Sequence, residues 1–515
     1  MRARWSPPVR PSSTSSARVD TPRVGAADGR RLLATVKRWL PRPAAANAAL
    51  GVLVVGGLAL RLVAIISWWP VGTTLADSWP YAVYAGTNPL NDPQHPGGYS
   101  TLLAIIGFVT RSVAVPVLLQ HLLGLLAALL LFWAVRRLIG SPWPALVPAA
   151  AVLLNSDEIF LEHTIMAEGP FVVALAGALY ASVRAVDQPS PLWKWPAASA
   201  ILAVAAALLR TAGLFFIPVM ALSLWCSAPQ PWRARLRVPA LVVAVSGVLL
   251  LAYAAGSLAS NGRFEVSPAT GWHLYSRTAL IANCHVFTPP KGTAGLCDPR
   301  PAPQRPGSDW YLYDPGSPAL RLFGPLGNHD STLEAFALAV ILHEPGVYLK
   351  STFHEVEGYF VPSLHPYIYG GGCAIDCQVD WIYAIKHDPA IVAKTERGME
   401  QFYNRFTVHV SRSGIDFLHS YENPFRFGAT LLTLTSLLTL LGLFIGPRRA
   451  RVGVLLFGVG GLAMLVFPTF GVYYLGRYQV PIAGPMAASA AICLWSLWHL
   501  ERGRRAARVD DPGHP

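Results

Sequence analysis

Charge is scarce in this sequence. Only 13% of the 515 residues are Asp, Glu, Lys or Arg, whereas 53% are hydrophobic and the mean hydropathy is +0.40. A chain so poor in charge cannot cover a soluble globule of its size, so most of it belongs in lipid. Acids are scarcer than bases, 28 against 41, and the formal net charge is +13. The bases do not gather into one patch with interleaved aromatics, which excludes nucleic acid as the partner they serve; they fall in small groups between apolar runs, as membrane topology demands. Cysteine is limited to six residues and no CxxC pair occurs. No internal repeat relates the two halves, which argues against a secondary transporter. No small-residue cleavage site follows the first apolar run, so that run reads as an uncleaved anchor.

What the chain does contain is a series of apolar runs, near residues 45–69, 113–135, 142–160, 169–186, 195–209, 212–228, 238–257, 425–445, 451–470 and 478–499. Each is read as a helix at or near the length that crosses a hydrocarbon core of about 30 Å. The fold class expected is therefore mainly α, a polytopic bundle of about ten spans with one loop domain of mixed α/β or irregular structure. Residues 1–43, rich in Arg, Pro and Ser, read as a disordered basic arm. Residues 44–257 form the first membrane region, 258–424 the loop domain, 425–500 the last spans and 501–515 a basic tail.

Basic groups alternate with the spans: Arg38 and Arg42, Arg136 and Arg137, Arg184 and Lys194, Arg233 with Arg235 and Arg237, Arg448 with Arg449 and Arg451, and Arg502 with Arg504 and Arg505. If each is cytoplasmic, both termini are inside. The apolar stretch Tyr99 to Thr110 tests this, because a further span there would reverse everything after it. At 1.5 Å per residue it reaches only about 18 Å, so it reads as a helix in the outer interface. The loop 70–112, residues 157–168, Arg210, the 258–424 domain and residues 471–477 then share the exoplasmic face of a cell membrane. Four cysteines fall in that domain, and an oxidising compartment would let Cys284 pair with Cys297 and Cys373 with Cys377. Zinc is the rival reading, with His285 and His365 near the pairs.

Two acidic groups stand out on that face. Asp77 lies eight residues past Trp69, in LADSWPYAVYAG, ahead of NPLNDPQHPGGYSTLL. It reads either as a carboxylate held where lipid meets water or as the N-cap of a helix starting at Ser78. NSDEIFLEHTIMAEGPF crowds Asp157, Glu158, Glu162, His163 and Glu168 into one turn between spans. Ionisable groups at that depth are costly unless they face a wet cavity or a partner. In the loop domain, His354 and Glu357 share a helix face at i and i+3, a spacing that serves metal binding or an ordinary charged surface.

This order of features resembles the C-type glycosyltransferase superfamily, and within it the protein mannosyltransferases and bacterial aminoarabinose transferases. The resemblance rests on an acid after the first span, the HPGGY-like segment entering an interfacial helix, a later acid beside the third and fourth spans, and the Arg-Tyr pair of GRYQVPI. It covers residues 45–260 and 425–500. It implies a glycosyltransferase that moves a hexosyl or pentosyl group from a polyprenyl-phosphate donor to a hydroxyl acceptor on a glycan, lipid or protein of the cell envelope. Asp77 would be the catalytic base and Glu168 a second catalytic acid. Arg477, Arg210, His95, Arg61 and Tyr478 would bind donor and phosphate, since a guanidinium can hold phosphate oxygens bidentately. His95 departs from the Lys or Glu that relatives carry, and Arg61 reads equally as a snorkelling side chain. No metal ligand set is legible, which leaves a divalent metal open. The alternative reading is a transporter or flippase of lipid-linked sugars.

Overall fold

The computed structural model describes residues 43–72, 77–187, 193–227, 231–361, 393 and 396–510. All ten apolar runs are helical there, and they do not all have the length of a span. Seven helices are long and apolar enough to cross a membrane: Ala44–Ser67, Ala114–Ile139, Glu168–Asp187, Arg237–Asn261, Arg412–Gly442, Arg448–Phe470 and Gly476–Arg502. Two bent pairs, Pro142–Leu153 with Ser156–Glu162 and Asp330–His343 with Pro345–Gly358, raise the number to at most nine among the described residues. Beside these candidates stand three shorter apolar helices, Gly98–Gly107, Lys194–Leu209 and Thr211–Ser227, so the count by length and composition is compatible with the about ten spans expected. This is a multi-pass membrane protein.

The shortness of some runs has local causes. The run 142–160 is cut at Asn155, which leaves the helix, takes an extended conformation and caps the next helix by accepting from Asp157 N–H at 3.4 Å. The two legs meet at 52°. Runs 195–209 and 212–228 are separated by Arg210, whose φ of −147° and ψ of 129° end the helix Lys194–Leu209 before a short 3₁₀ turn restarts it. Both legs remain short, and the break turns Arg210 out of the bundle's regular packing. The stretch at Tyr99 forms the ten-residue helix Gly98–Gly107. It packs so tightly on the end of Lys194–Leu209 that a Cβ at Gly98 would lie 2.3 Å from the Leu208 carbonyl oxygen.

The basic groups at the ends of several helices converge. Arg137 Nε and Asp187 Oδ2 are 2.5 Å apart, Arg449 joins the same Asp187 carboxylate, and Arg449 Nη2 donates to Arg137 O at 3.0 Å. One carboxylate thus ties three helices together at one end of the bundle. Within the bundle, Arg61 forks onto Glu162, with Nε and Nη2 each 2.7 Å from a carboxylate oxygen, and its Nη1 donates to Gly57 O and Leu153 O at 3.1 Å each. Gly124 makes room for this pair, since a Cβ there would sit 1.7 Å from Glu162 Oε1. His121 Nδ1 lies 2.9 Å from Glu162 Oε2, His121 Nε2 lies 3.1 Å from His163 Nδ1, and His163 Nε2 reaches Trp68 O.

The segment expected to be of mixed α/β or irregular structure is helical and irregular among the described residues. Its one strand there, His409–Val410, pairs antiparallel with Trp68–Trp69. A second core of Trp272, Tyr275, Tyr311, Leu333, Phe336 and Val340 holds its first part together, and Tyr473 and Leu475 from the last membrane region are built into that core. Cys284 and Cys297 form a disulfide; Cys373 and Cys377, with His365, lie outside the described residues. His354 Nδ1 and Glu357 Oε2 sit 3.5 Å apart on a partly exposed helix face, the geometry of an i,i+3 ion pair.

Candidate active site

Asp77 precedes the helix Ser78–Gly86, and its side chain makes no capping bond to that helix. The carboxylate turns instead into a cleft, where Arg477 Nη2 donates to its Oδ2 at 2.6 Å and His95 Nε2 approaches the same oxygen at 3.4 Å. On its far side His95 Nδ1 meets Asp92 Oδ2 at 3.0 Å. Asp92 is pinned by its own turn, its Oδ1 accepting from the backbone N–H of Gln94 at 2.8 Å and of His95 at 3.1 Å. The sequence DPQH thus builds an acid, imidazole, acid row across the floor of the cleft. Tyr81 packs against the imidazole with ring centroids 4.5 Å apart.

Arg477 and Arg210 reach the cleft from sequence positions more than 250 residues apart. Tyr478 lies between them, its ring centroid 5.0 Å from the Arg210 guanidinium carbon and 5.9 Å from that of Arg477. The loop before Arg477 is held by the loop domain. Tyr474 N–H donates to Glu355 Oε2 at 2.7 Å, Arg277 Nη1 donates to Glu355 Oε1 at 2.7 Å, and Tyr359 OH donates to Leu475 O at 3.2 Å. The domain therefore sets the register of the Arg-Tyr pair. Nothing local in the sequence announces Arg277 or Glu355, and the role of Asp92 depends on the turn it makes with His95.

Asp77, His95, Arg210, Arg477 and Tyr478 all line this cleft, together with Tyr81, Gln94, His273, Tyr313 and Tyr473. Two expected site residues do not. Glu168 is fully buried behind Arg210, which it pairs through Oε1, while its Oε2 has no partner among the described residues. That position suits holding Arg210, and Glu168 is not among the residues that line the cleft. Arg61 belongs to the Glu162 network, with all three guanidinium nitrogens engaged inside the bundle, and is not placed to meet a donor phosphate.

The charges of the cleft reinforce one another. Burial alone would raise the Asp77 carboxyl, but Arg477, His95 and Arg210 outweigh it and hold the group well below the usual carboxylate range. Burial would likewise lower His95, and the two flanking carboxylates of Asp92 and Asp77 instead raise it to about 10. Asp77 is thus ionised and His95 an imidazolium at neutral pH. His273 goes the other way, lowered to about 4 by burial and then by the His95 charge, so a neutral imidazole faces the same space. Its Nδ1 has no partner among the described residues.

A pH prediction follows with a definite sign. Because the folded-state value of His95 is raised, its contribution to stability is fully present below its unfolded value of about 6.5 and is lost as pH rises through about 10. The Asp77 contribution behaves oppositely, present above about pH 4 and lost as pH falls through its depressed value. The difference in Tm between the parent protein and His95→Gln should therefore shrink steadily between pH 7 and pH 10. A difference that is constant over that range would contradict the bridged imidazolium.

Among the described residues, no three His, Cys, Asp or Glu side chains are grouped to hold a metal ion. No protein-family description matches the chain, and no curated protein matches it in sequence. Among solved structures it is similar to the Archaeoglobus fulgidus oligosaccharyltransferase. The crystal structure of that enzyme tethered to an acceptor peptide aligns at a TM-score of 0.43 and 13% identity over 90% of this chain and 51% of that one. Its apo crystal structure gives 0.43 and 12% over 90% and 52%, and the complex with an inhibitory peptide and a dolichol-phosphate gives 0.39 and 11% over 90% and 52%. The chain spans about half the length of these structures.

Proposed function

We propose that this protein is a C-type membrane glycosyltransferase that moves a sugar from a polyprenyl-phosphate donor to a hydroxyl acceptor on the exoplasmic face. The observation that supports it best is the convergence of one ionised carboxylate, two guanidiniums and an imidazolium on a single cleft at one end of the helical bundle. In the reaction, Asp77 takes the proton of the acceptor hydroxyl while that oxygen attacks the anomeric carbon. The bond from that carbon to the phosphate oxygen breaks, and its electron pair leaves with the lipid phosphate. Arg477, Arg210 and the protonated His95 carry the negative charge that collects there. A single displacement of this kind inverts the anomeric centre.

The contact between Asp77 and Arg477 supports an order of events. With Arg477 on its Oδ2, Asp77 is ionised but a weak base. A donor phosphate competes for the same guanidinium, and drawing it away restores basicity to the carboxylate in the same event that brings the sugar in. Neutral His273 and the tyrosine hydroxyls of the cleft suit an acceptor hydroxyl. A chelator added to the transfer assay addresses whether a divalent metal joins the donor.

Arg477→Lys tests the phosphate role. The variant keeps the charge and loses the bidentate fork. Donor affinity should fall by about tenfold, with acceptor dependence unchanged, when binding of a polyprenyl-phosphate sugar is measured by titration into purified protein. Unchanged donor affinity would remove Arg477 from the phosphate site.

A further inference from the structure

The cleft has two unlike walls. The membrane region lines it with the charged side chains of Asp77, His95, Arg210 and Arg477. Among the described residues the loop domain contributes Ser267, Pro268, His273 and Tyr313, none of them Asp, Glu, Lys or Arg. Gln94 donates from the first wall to the Tyr313 hydroxyl on the second, so the two walls meet there. The second wall is built firmly around His273. Its helix, Thr270–Ala279, starts after Ala269, whose φ of 53° lies in the left-handed region that a residue with a Cβ enters at a cost. Gly271 packs so closely on the helix Asp330–His343 that a Cβ there would lie 2.0 Å from Asp330 O. Trp272 donates from its backbone to Asp330 Oδ1 at 3.0 Å and from its indole to Asn328 O at 2.8 Å.

On this clamped helix the His273 ring keeps a buried Nδ1 without a partner among the described residues, a loss that a bound ligand would make good. Burial and the charge on His95 keep the imidazole neutral, so it offers one donor and one acceptor, the pattern of a hydroxyl. Tyr313, on the same wall, is 48% exposed, and a tyrosine ring gives the C–H side of a sugar an apolar face while polar neighbours take its hydroxyls. An acceptor carrying phosphate or carboxylate would find no Lys or Arg on this wall and would compete with the donor for the guanidiniums opposite. A peptide needs partners for its own N–H and C=O groups, as a strand edge supplies, and no residue of a described strand lines the cleft. We infer that the acceptor is an uncharged glycan, and that His273 holds a hydroxyl beside the one that Asp77 deprotonates. The inference rests on the transferase reading and narrows it to one class of acceptor.

Initial rates of the full chain in nanodiscs test the assignment, with the polyprenyl-phosphate sugar it consumes and three classes of acceptor. These are short uncharged oligosaccharides, the same oligosaccharides carrying a uronic acid or a phosphate, and peptides containing serine and threonine. The uncharged oligosaccharides should give the highest kcat/KM. His273→Ala should raise their KM by about three- to tenfold, the effect of one lost neutral hydrogen bond, with the KM of the donor unmoved. His273→Gln, which again offers a donor and an acceptor, should recover most of that loss, as it would not if the ring served packing alone. Should His273→Ala fail to fold, His273→Leu, closer in volume, should show the same rise. A higher kcat/KM for the peptides or the charged oligosaccharides, or an acceptor KM that His273→Ala and His273→Leu leave unchanged, would overturn the proposal and leave the transferase reading standing. Transfer to no acceptor of any class would overturn both.

Discussion

Asp77→Asn should reduce sugar transfer by about 100-fold or more, the usual contribution of general-base catalysis, while donor binding largely persists. Asn has the shape of Asp and still accepts a hydrogen bond from Arg477, so the cleft keeps its form. It has no affinity for the acceptor's proton, and the loss should therefore appear in turnover. The variant must be compared at equal amounts of folded protein in the membrane, because the parent carboxylate also neutralises Arg477 and His95. Full activity in Asp77→Asn with none in Glu168→Gln would mean that the base had been assigned to the wrong acid. Full activity in both would dismiss the glycosyltransferase reading and return weight to a transporter of lipid-linked sugars.

Arg61→Met should destabilise the protein by about 3 to 5 kcal/mol, the usual result of stripping one partner from a buried ion pair. The pair is almost wholly out of solvent, with Arg61 1% and Glu162 0% exposed. Removal of the guanidinium leaves the carboxylate with His121 as its remaining side-chain partner, and takes a donor away from Leu153 O at the end of its helix. A large fall in Tm should follow, and the protein that does fold should bind donor normally, since Arg61 does not line the cleft. Arg61→Met combined with Glu162→Gln should recover part of the loss, because the uncompensated charge is then gone. A single variant as stable as the parent would show that the network carries little, and a specific loss of donor binding would restore Arg61 to the phosphate site.

The contrast between Asp77 and Arg61 shows what the sequence could and could not reveal. Apolar runs gave the helices because burying backbone polar groups in lipid leaves helical structure as the available solution. Run length does not show where one residue interrupts a helix, as Asn155 and Arg210 do through their own backbone conformation. The parity of the basic groups placed Asp77 and Arg477 on one side, and the structure brings them into direct contact across 400 residues of sequence. Arg61 is singled out by charge and depth, and Glu168 by the resemblance. Both are paired, with Glu162 in one case and Arg210 in the other, and no spacing within the sequence distinguishes a matched charge from one that faces a cleft. Asp92 was passed over because its role depends on the tight turn it makes with His95.

The central claim is that the cleft around Asp77 and Arg477 transfers sugar from a lipid phosphate. Purified protein in nanodiscs, supplied with a panel of polyprenyl-phosphate sugars and a hydroxyl acceptor, should consume one of the donors and release polyprenyl phosphate, and Asp77→Asn in the same discs should consume that donor slower by about 100-fold or more. Donor consumption that proceeds at the parent rate in Asp77→Asn would contradict the account.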